Sequence, residues 1–275
     1  MPSSPPKIGL ALSGGAARGM AHVGVLRALA ENNIPIHCLA GTSAGSIVGG
    51  AYASGMSIDE IAEFGRELRW RHIGRVTMSR FGLQSNKRLE NYLRSRFPIT
   101  RFEHCPIPFA AVATDLKSNA AVVMKDQGDM PFAIRASCTI PGWYVPVLDQ
   151  QGRQLVDGGL VAIIPSSVTR SLGASIVLAL DVNTEGATFI TPSSSVIGVL
   201  LQSMMVVQRT ASSYQLEMSD LVISPKVGHI RWDEMGRADE LMEAGYKAGL
   251  ESIPKIRALI DPVSDEETQR AQLLV

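Results

Sequence analysis

Short apolar runs alternate with helical repeats along most of the chain, and this alternation constrains the fold more than any other feature. Residues 8–12 have the length and composition of a buried strand, and residues 20–32 carry apolar side chains at helical spacing. The same patterns predict further strands at residues 36–40, 108–114, 120–124, 154–157, 175–181 and 221–224. They predict further helices at residues 43–53, 86–97, 131–137, 165–172, 193–218 and 237–259, and another helix that begins with the capping box of Ser57 and Glu60. Such alternation is typical of an α/β fold whose mostly parallel sheet is covered by helices on both faces.

Length and composition bound the domain organisation. The chain has 275 residues, of which 45% are hydrophobic and 19% charged, which is enough apolar material for one buried core. We predict a single domain with a core over about residues 7–225, a helical extension over 233–260 and a tail over 261–275; length alone also allows two small domains. The 26 Lys and Arg residues balance the 26 Asp and Glu residues, so no nucleic-acid partner is predicted.

The termini and cysteines indicate the compartment. The N-terminal residues lack the pattern of a signal peptide, and no run reaches the ~18 apolar residues that a membrane-spanning helix needs. Cys38, Cys105 and Cys138 are widely spaced, which is typical of a reducing compartment, and Cys38 and Cys138 are expected to be packed thiols. We therefore predict a soluble, cytoplasmic protein and leave open a peripheral contact with the inner face of the membrane. The oligomeric state stays open.

The pentapeptide Gly41-Thr42-Ser43-Ala44-Gly45 has the Gly-x-Ser-x-Gly form of a nucleophile elbow. It follows a predicted strand and opens a predicted helix, which is the context that such an elbow requires. Small residues on both sides of the serine avoid collisions in a strained turn, and the helix N-terminus favours negative charge that develops beside it. The motif predicts Ser43 as a nucleophile, the alternative being a tight turn in which Ser43 only caps the helix.

A second glycine-rich turn joins the first strand to the first helix, with the sequence Ser13-Gly14-Gly15-Ala16-Ala17-Arg18-Gly19. Its small side chains leave backbone N–H groups uncovered and able to point at an anion. The spacing fits neither a Walker loop nor Gly-x-Gly-x-x-Gly, so an oxyanion hole for acyl transfer is the better interpretation. Arg18 would either fix this loop through hydrogen bonds to carbonyl groups or lie near a phosphoryl headgroup.

Asp157-Gly158-Gly159 follows a strand candidate and is the third motif. This tripeptide is commonly only a turn, but Ser43 needs a base and an acid on an exposed turn could supply it. Among the histidines, only His229 follows both Ser43 and Asp157, which would give the Ser, Asp, His order of α/β-hydrolases. Asp157 alone and a three-residue site with His229 are both open at this point.

Together, and in this order, the three motifs resemble the patatin-like phospholipase family over residues 7–225. Supporting segments lie at residues 21–26, 114–116, 136–142 and 146–147. The resemblance implies a three-layer α/β/α sandwich and a Ser43–Asp157 dyad that needs neither histidine nor a metal ion or other cofactor. Asp157 would take the proton from Ser43 and later activate the water that clears the acyl-enzyme.

The resemblance also assigns the remaining site residues. Gly14, Gly15 and their neighbours through Gly19 would hold the oxyanion, with the N–H of Ala44 as an additional donor. Family members hydrolyse phospholipid, lysophospholipid or neutral-lipid esters, so a lipid or acyl-ester substrate is implied. Many relatives carry asparagine before the proline that follows Asp-Gly-Gly, where this chain has Ala162 and Ile163. These side chains cannot make the corresponding hydrogen bonds, so we expect the Asp157 loop to be held differently.

Ten cations between residues 66 and 101 face only two acids, Glu67 and Glu90. They are Arg66, Arg69, Arg71, Arg75, Arg80, Lys87, Arg88, Arg94, Arg96 and Arg101. Trp70, Phe81 and Leu83 are interleaved with them, so we predict contact with anionic lipid headgroups. The alternative is a solvated face neutralised by Asp233, Glu234, Asp239, Glu240 and Glu243.

Residues 196–207, which include Met204 and Met205, allow two roles. They would form a packed core helix or, less directly, flank an acyl-chain tunnel, because thioether side chains adapt to irregular chains. Three functional classes remain for the whole chain. They are a lipid acyl hydrolase of the phospholipase A or lysophospholipase type, an acyltransferase that uses the same serine, and a weakly active or inactive lipid- or phosphate-binding module.

Overall fold

The computed structural model describes residues 5–183 and 195–261, and all strands of its central sheet except β8 follow apolar runs of the sequence. The strands are β1 (Ile8–Leu12), β2 (Cys38–Thr42), β3 (Arg75–Val76), β4 (Gly82–Ser85), β5 (Phe109–Asp115), β6 (Ala120–Lys125), β7 (Gly142–Tyr144), β8 (Val147–Leu148), β9 (Gln154–Asp157), β10 (Ile176–Leu180) and β11 (Leu221–Ile223). β2 starts and ends two residues later than the sequence predicts, because Gly41 and Thr42 extend the pairing with β5 as far as Val112.

The helices are α1 (Ala21–Glu31), α2 (Ala44–Ala53), α3 (Ile58–Glu67), α4 (Trp70–Ile73), α5 (Lys87–Arg96), α6 (Met130–Ser137), α7 (Ser166–Ser171), α8 (Val196–Leu216) and α9 (Ala238–Ile260). Short 3-10 turns lie at Ala16–Met20, Phe102–His104, Gly158–Leu160 and Met235–Arg237. The predicted capping box at the start of α3 is confirmed, since Ser57 and Glu60 bond reciprocally. In the described ranges, no helix has both the length and the apolarity to cross a bilayer. Residues 193–194 of the helix predicted over 193–218 and 262–275 of the predicted tail lie outside these ranges.

The central sheet has eight strands in the order β11-β10-β1-β2-β5-β9-β8, with β6 also paired to β5. β11, β10, β1, β2 and β5 are parallel, whereas β6, β8 and β9 run antiparallel to their neighbours. The prediction of a mostly parallel sheet between helical layers is confirmed. A small second sheet, β3-β4-β7, lies outside the sequence predictions, because its strands are short and carry little apolar alternation.

Alternate residues of the buried strands pack on opposite faces of the sheet. On one face, Leu10 and Leu12 of β1 join a core cluster that includes side chains of α1, α2 and α9. On the other face, Ala11 of β1 packs with Val177 and Ala179 of β10, close to the residues around α7. Both faces are thus covered by helices, and the edge where the parallel strands end is left for loops.

α1 and α9 approach each other closely. A Cβ added at Gly24 would lie 1.9 Å from the backbone O of Met242, and one added at Gly245 would lie 1.9 Å from the O of Ala21. Only glycine permits this separation of the two helix backbones. α9 is therefore packed against the start of α1, where the glycine-rich turn enters the helix.

Candidate active site

Ser43 lies on the turn between β2 and α2 in a backbone conformation that few non-glycine residues adopt, with φ 51° and ψ −123°. A Cβ added at Gly41 would lie 2.4 Å from the O of Gly45, and one added at Gly45 would lie 2.2 Å from the O of Leu12. The small residues of the pentapeptide are thus required by the tightness of the turn. The side chain of Ser43 is half-buried, and the N–H of Ala44 stands at the first helical position, where it has no intrahelical acceptor.

Ser137 holds the strained turn from the side. Its buried hydroxyl accepts a hydrogen bond from the N–H of Ser43 at 2.8 Å and donates one to the O of Val112 at 2.6 Å. The hydroxyl therefore fastens the nucleophile's backbone to β5. Ser137 carries no motif signal of its own in the sequence, although it lies within the family-like segment 136–142.

The sheet register brings Asp157 to Ser43. Thr42, at the end of β2, pairs with Val112 of β5, and Asp157, at the end of the antiparallel β9, pairs with the next residue, Ala113. β6 occupies the other side of β5 over residues 110–115. β2 and β9 therefore lie end to end along one side of β5, and their C-terminal residues meet.

The two predicted catalytic side chains are brought together, and the N–H of Gly159 donates to Oδ1 of Asp157 at 2.8 Å. Asp157 is only 4% exposed. Burial raises the pKa of this carboxyl group from 3.8 to about 6, although the Gly159 N–H and the nearby Ser43 side chain act in the opposite direction.

The glycine-rich turn lies against the elbow. A Cβ added at Gly14 would come within 3.3 Å of the Cβ of Ser43, and one added at Gly19 within 2.5 Å of the Cβ of Ala44. The N–H of Gly14 is already bound to the O of Ile163 at 3.0 Å. Within the described residues, the N–H groups of Gly15 and Ala16 have no hydrogen-bond acceptor. Of the predicted oxyanion donors, these two and Ala44 are the ones available to an anion beside Ser43.

The rest of the loop is anchored rather than available. The N–H of Ala17 donates to the O of Trp232 at 2.9 Å, and the N–H of Arg18 donates to the O of Gly15. The buried guanidinium of Arg18 donates to the O of Ile230 at 2.6 Å and to the O of Gly228 at 3.5 Å. Arg18 thus has the loop-fixing role, one of the two roles that the sequence left open.

The loop after Asp157 is held without the asparagine of its relatives. The hydroxyl of Thr42 donates to the O of Ala162 at 2.6 Å, and the O of Ile163 receives the N–H of Gly14. Gln215 of α8 accepts from the N–H of Ile164 at 2.7 Å and donates to the O of Val161 at 3.1 Å. Hydrogen bonds to backbone carbonyls and to Gln215 therefore hold the loop, because the side chains of Ala162 and Ile163 cannot form them. The sequence led us to expect that this loop is held differently.

Three of the histidines, His229 among them, are engaged elsewhere. His229 is exposed and pairs with Glu240 of α9 at 2.9 Å. His22 is fully buried, its Nε2–H donates to the O of Ser13, and burial lowers its pKa to about 4. His37 accepts from the N–H of Ile8 through Nδ1. None of these three side chains bonds to Ser43 or Asp157 among the described residues.

A deep apolar cavity opens beside Ser43, with a volume of about 760 Å³ when its open mouth is included. The glycine-rich turn and the elbow contribute Ala16, Ala17, Gly19 and Ala44 to its wall. Its apolar lining comes from Ile47, Val48, Ile61, Phe64, Leu68, Trp70, Ile73, Leu89, Ile140, Tyr144 and Met235. Cys138 also lines it and is buried, as predicted for a packed thiol, and burial raises the pKa of this thiol.

α8 takes neither of the roles predicted for residues 196–207. Val196, Leu200, Val206 and Val207 are exposed, so these positions are not part of the core, and none of the α8 side chains that the structure describes lines the cavity. Both predictions were wrong because an apolar sequence does not by itself bury a helix. α8 lies on the surface across the Asp157 loop.

The cationic segment is partly neutralised. Arg66, Lys87, Arg94, Arg96 and Arg101 each pair with an acid, whereas the other cations of the segment have no acidic partner among the described residues. Of the five acids proposed as partners, only Asp239 takes part, through Arg66 at 2.7 Å. In the same ranges, no cluster of His, Cys, Asp and Glu side chains could hold a metal ion.

Comparison with known proteins agrees with these features. A family model described as Patatin-like phospholipase matches residues 10–168. An uncharacterized NTE family protein of Mycobacterium tuberculosis is 37% identical over 184 residues, which cover 66% of this chain and 50% of that protein. Patatin-like phospholipase domain-containing protein 7 of Rattus norvegicus is 31% identical over 278 residues, covering 88% of this chain and 20% of that protein. The chain spans about half the length of the first of these relatives and a fifth of the second.

A solved structure shares the fold. VipD from Legionella pneumophila aligns with a TM-score of 0.54 over 92% of this chain and 68% of that chain. The sequence identity is 16%, so the likeness concerns the fold alone.

Proposed function

The chain belongs to the patatin-like phospholipase family, and on that premise we propose that it hydrolyses acyl esters of lipids with Ser43 as nucleophile and Asp157 as base. The observation that carries the proposal is the nearness of Ser43, just after β2, to the buried carboxyl group at the end of β9, whose pKa is raised to about 6. A serine hydroxyl becomes a useful nucleophile only when a base removes its proton as it attacks. A desolvated carboxylate is a stronger base than one in water, which suits Asp157 to this role.

In the first step, the oxygen of Ser43 attacks the ester carbonyl while Asp157 takes the hydroxyl proton. The tetrahedral intermediate carries a negative oxygen, which the N–H groups of Gly15, Ala16 and Ala44 would bind. Each such donor lowers the barrier by about 3–4 kcal/mol in well-studied hydrolases. Their availability beside Ser43 supports this assignment.

The intermediate then collapses. The bond between the carbonyl carbon and the leaving alcohol breaks, the alcohol takes the proton from Asp157, and the acyl group remains on Ser43. A water molecule attacks this acyl-enzyme, Asp157 takes the proton of the water, and the free acid leaves as Ser43 regains its hydrogen. The same carboxyl group thus serves both halves of the reaction.

The apolar cavity supports a lipid substrate. It starts at Ser43 and continues between Val48, Phe64 and Leu89, where an alkyl chain would be buried away from water. Burial of each methylene contributes about 0.8 kcal/mol, so a long acyl chain would bind more tightly than a short one. The headgroup would remain at the open mouth.

Hydrolysis of p-nitrophenyl butyrate by wild type, Ser43→Ala, Asp157→Asn and His229→Ala tests the proposal. The first two substitutions should lower kcat/KM by about 10³-fold or more, because each removes a group that acts in both steps. His229→Ala should leave kcat/KM within about twofold, since His229 is bound to Glu240 at the surface. Thermal unfolding of each variant checks that it is folded.

Loss of activity in folded His229→Ala would indicate a three-residue site instead of the dyad. Full activity in Ser43→Ala would refute the proposal. Addition of an acceptor alcohol, followed by analysis of the products, separates hydrolysis from acyl transfer.

A further inference from the structure

Five cations without an acidic partner lie close together in the chain, within residues 69–88. Among the described residues, Arg69, Arg71, Arg75, Arg80 and Arg88 form no ion pair, and all five are exposed. They lie on α4, on the β3–β4 hairpin and at the start of α5. We call residues 69–88 the arginine surface. Partial burial lowers the pKa of His72, and the positive charges of Arg71 and Arg69 lower it further.

Large apolar side chains project from the same segment. Val76 is 79% exposed, Phe81 is 67% exposed, and Met78 is fully exposed. All three lie on the β3–β4 hairpin, between or beside Arg75 and Arg80. Such a contiguous pairing of exposed apolar and basic side chains costs free energy in water unless something covers it.

The arginine surface and the cavity share their structural elements. Trp70 and Ile73 of α4 line the cavity, whereas Arg71 of the same helix is exposed. β4 pairs with β7, which carries the cavity residue Tyr144, and Gln84 of β4 lies opposite it in the register. A molecule bound at the arginine surface would thus be next to the wall of the cavity that leads to Ser43.

We propose that the arginine surface docks on an anionic lipid bilayer, with Val76, Met78 and Phe81 inserted among the acyl chains and the unpaired arginines on the headgroups. This inference rests on the proposed function in one respect, since a lipid hydrolase must reach lipid. The sequence predicts contact with anionic headgroups over residues 66–101. The proposal limits this contact to residues 69–88, which hold the five cations without acidic partners among the described residues. The exposed apolar side chains of the β3–β4 hairpin favour a lipid surface over nucleic acid. Acyl chains can bury these side chains, whereas the phosphates of a nucleic acid cannot.

Sedimentation with vesicles tests the proposal, using Ser43→Ala as the parent so that no lipid is hydrolysed. Phosphatidylcholine vesicles with and without 30% phosphatidylglycerol, a composition we choose at about the charge of a cytoplasmic leaflet, provide the two surfaces. The parent should bind the anionic vesicles about 10-fold or more tightly, and salt should weaken this binding. Met78→Asp with Phe81→Asp, and separately Arg75→Glu with Arg80→Glu, should each lower binding by about 10-fold or more.

Two matched variants control for general effects. Lys247→Glu with Lys255→Glu reverses two exposed charges on α9, and Val206→Asp with Val207→Asp places two acids on exposed apolar positions of α8. Both should bind vesicles like the parent. Equal losses in the control and hairpin variants would overturn the assignment of binding to the arginine surface.

Other outcomes would also overturn the inference. The first is equal binding of the parent to both kinds of vesicle. The second is binding of the parent to random duplex DNA without binding to vesicles. The third is self-association of the parent in sedimentation equilibrium that is lost in Met78→Asp with Phe81→Asp.

Failure of this inference is distinguishable from failure of the proposed function. With Ser43 present, the hairpin variants should hydrolyse dissolved p-nitrophenyl butyrate at the wild-type rate, within about twofold, and lose activity only on anionic vesicles. Inactivity of the wild type on the dissolved ester would reject the proposed function and leave the vesicle-binding result standing.

Discussion

The carboxyl group of Asp157 meets two opposing demands. It must be buried beside Ser43 to act as a strong base, yet burial favours its neutral, protonated form. The hydrogen bond from Gly159 and the nearby Ser43 side chain offset part of this penalty and leave the pKa at about 6. Near neutral pH the group is thus mostly ionised but remains more basic than an exposed aspartate, which is the compromise that a single-carboxylate mechanism needs.

Ser43 shows a comparable balance in its backbone. A non-glycine residue at φ 51° costs about 1–3 kcal/mol unless its surroundings hold it. Ser137 supplies that support by accepting the N–H of Ser43 at 2.8 Å. The backbone geometry of the nucleophile therefore depends on Ser137, whose hydroxyl joins the N–H of Ser43 to the O of Val112.

Ser137→Ala should lower kcat/KM by about 5- to 100-fold, because a buried N–H left without an acceptor costs about 1–3 kcal/mol and the turn relaxes. The control is Ser54→Ala, which removes another buried hydroxyl, one that donates only to the O of Ala51, three residues before it. Ester hydrolysis and thermal unfolding of both variants check this. If both lost similar stability and kept equal activity, Ser137 would be merely structural.

At the scale of elements, α8 acts as an outer support for the loop that carries Asp157. The helix has no buried residue in its described part, so packing alone fixes it weakly. Gln215 nevertheless bonds both the N–H of Ile164 and the O of Val161, and a Cβ added at Gly159 would meet the side chain of Gln208 at 2.6 Å. These polar contacts replace the asparagine that many relatives carry within the loop.

Gln215→Leu should loosen this loop and lower kcat/KM by about fivefold or more, since the buried N–H of Ile164 loses its acceptor. Gln202→Leu, at a half-buried position of the same helix, is the control and should change kcat/KM by less than twofold. Hydrogen exchange should quicken at the amides of residues 159–164 in the first variant alone. Unchanged exchange and activity in Gln215→Leu would show that the loop is held without α8.

At the scale of the whole molecule, the two ends of the described chain meet beside the site. α9 packs on α1 through Gly24 and Gly245, with backbone atoms in near contact. α1 begins directly after the glycine-rich turn, so this helix pair also fixes the position of the oxyanion donors. Arg66 and Asp239 join α3, which lines the cavity, to the same C-terminal helix.

Gly245→Val should lower the free energy of unfolding by more than about 3 kcal/mol, because the added carbons would collide with the backbone of Ala21. Gly236→Val is the matched control, since a Cβ at Gly236 meets no atom within 4 Å, and it should cost less than about 1 kcal/mol. Urea unfolding of both variants measures the difference. Similar midpoints would mean that α1 and α9 are not tightly packed.

Local sequence signals predicted the parts of this molecule that depend on neighbouring residues. Both strand–turn–helix units, around Gly14 and around Ser43, were predicted because glycine and small residues are required within the turns themselves. The capping box at Ser57 is equally local. The choice of Asp157 needed the chemical argument that Ser43 requires a base.

Features that depend on distant pairing could not be predicted in the same way. No local signal shows that β9 runs antiparallel and meets β2 end to end on β5, or that Arg94 pairs with Asp129. The roles of Ser137 and Gln215 were not predicted for the same reason, because their hydrogen-bond partners are far away in the chain. The exposure of α8 contradicts the usual rule that an apolar helix is buried.

The pH dependence of Ser43 labelling by a fluorophosphonate tests the central claim most directly, since it reports the activation of this one hydroxyl. Asp157 accepts the proton only when ionised, so the labelling rate of the wild type should rise with pH through about 6 and then level off. Asp157→Asn should label slowly at every pH, and His229→Ala should follow the wild-type curve. A wild-type rate that does not change between pH 4.5 and 8.5, or a pH dependence that disappears in His229→Ala, would contradict direct activation of Ser43 by Asp157.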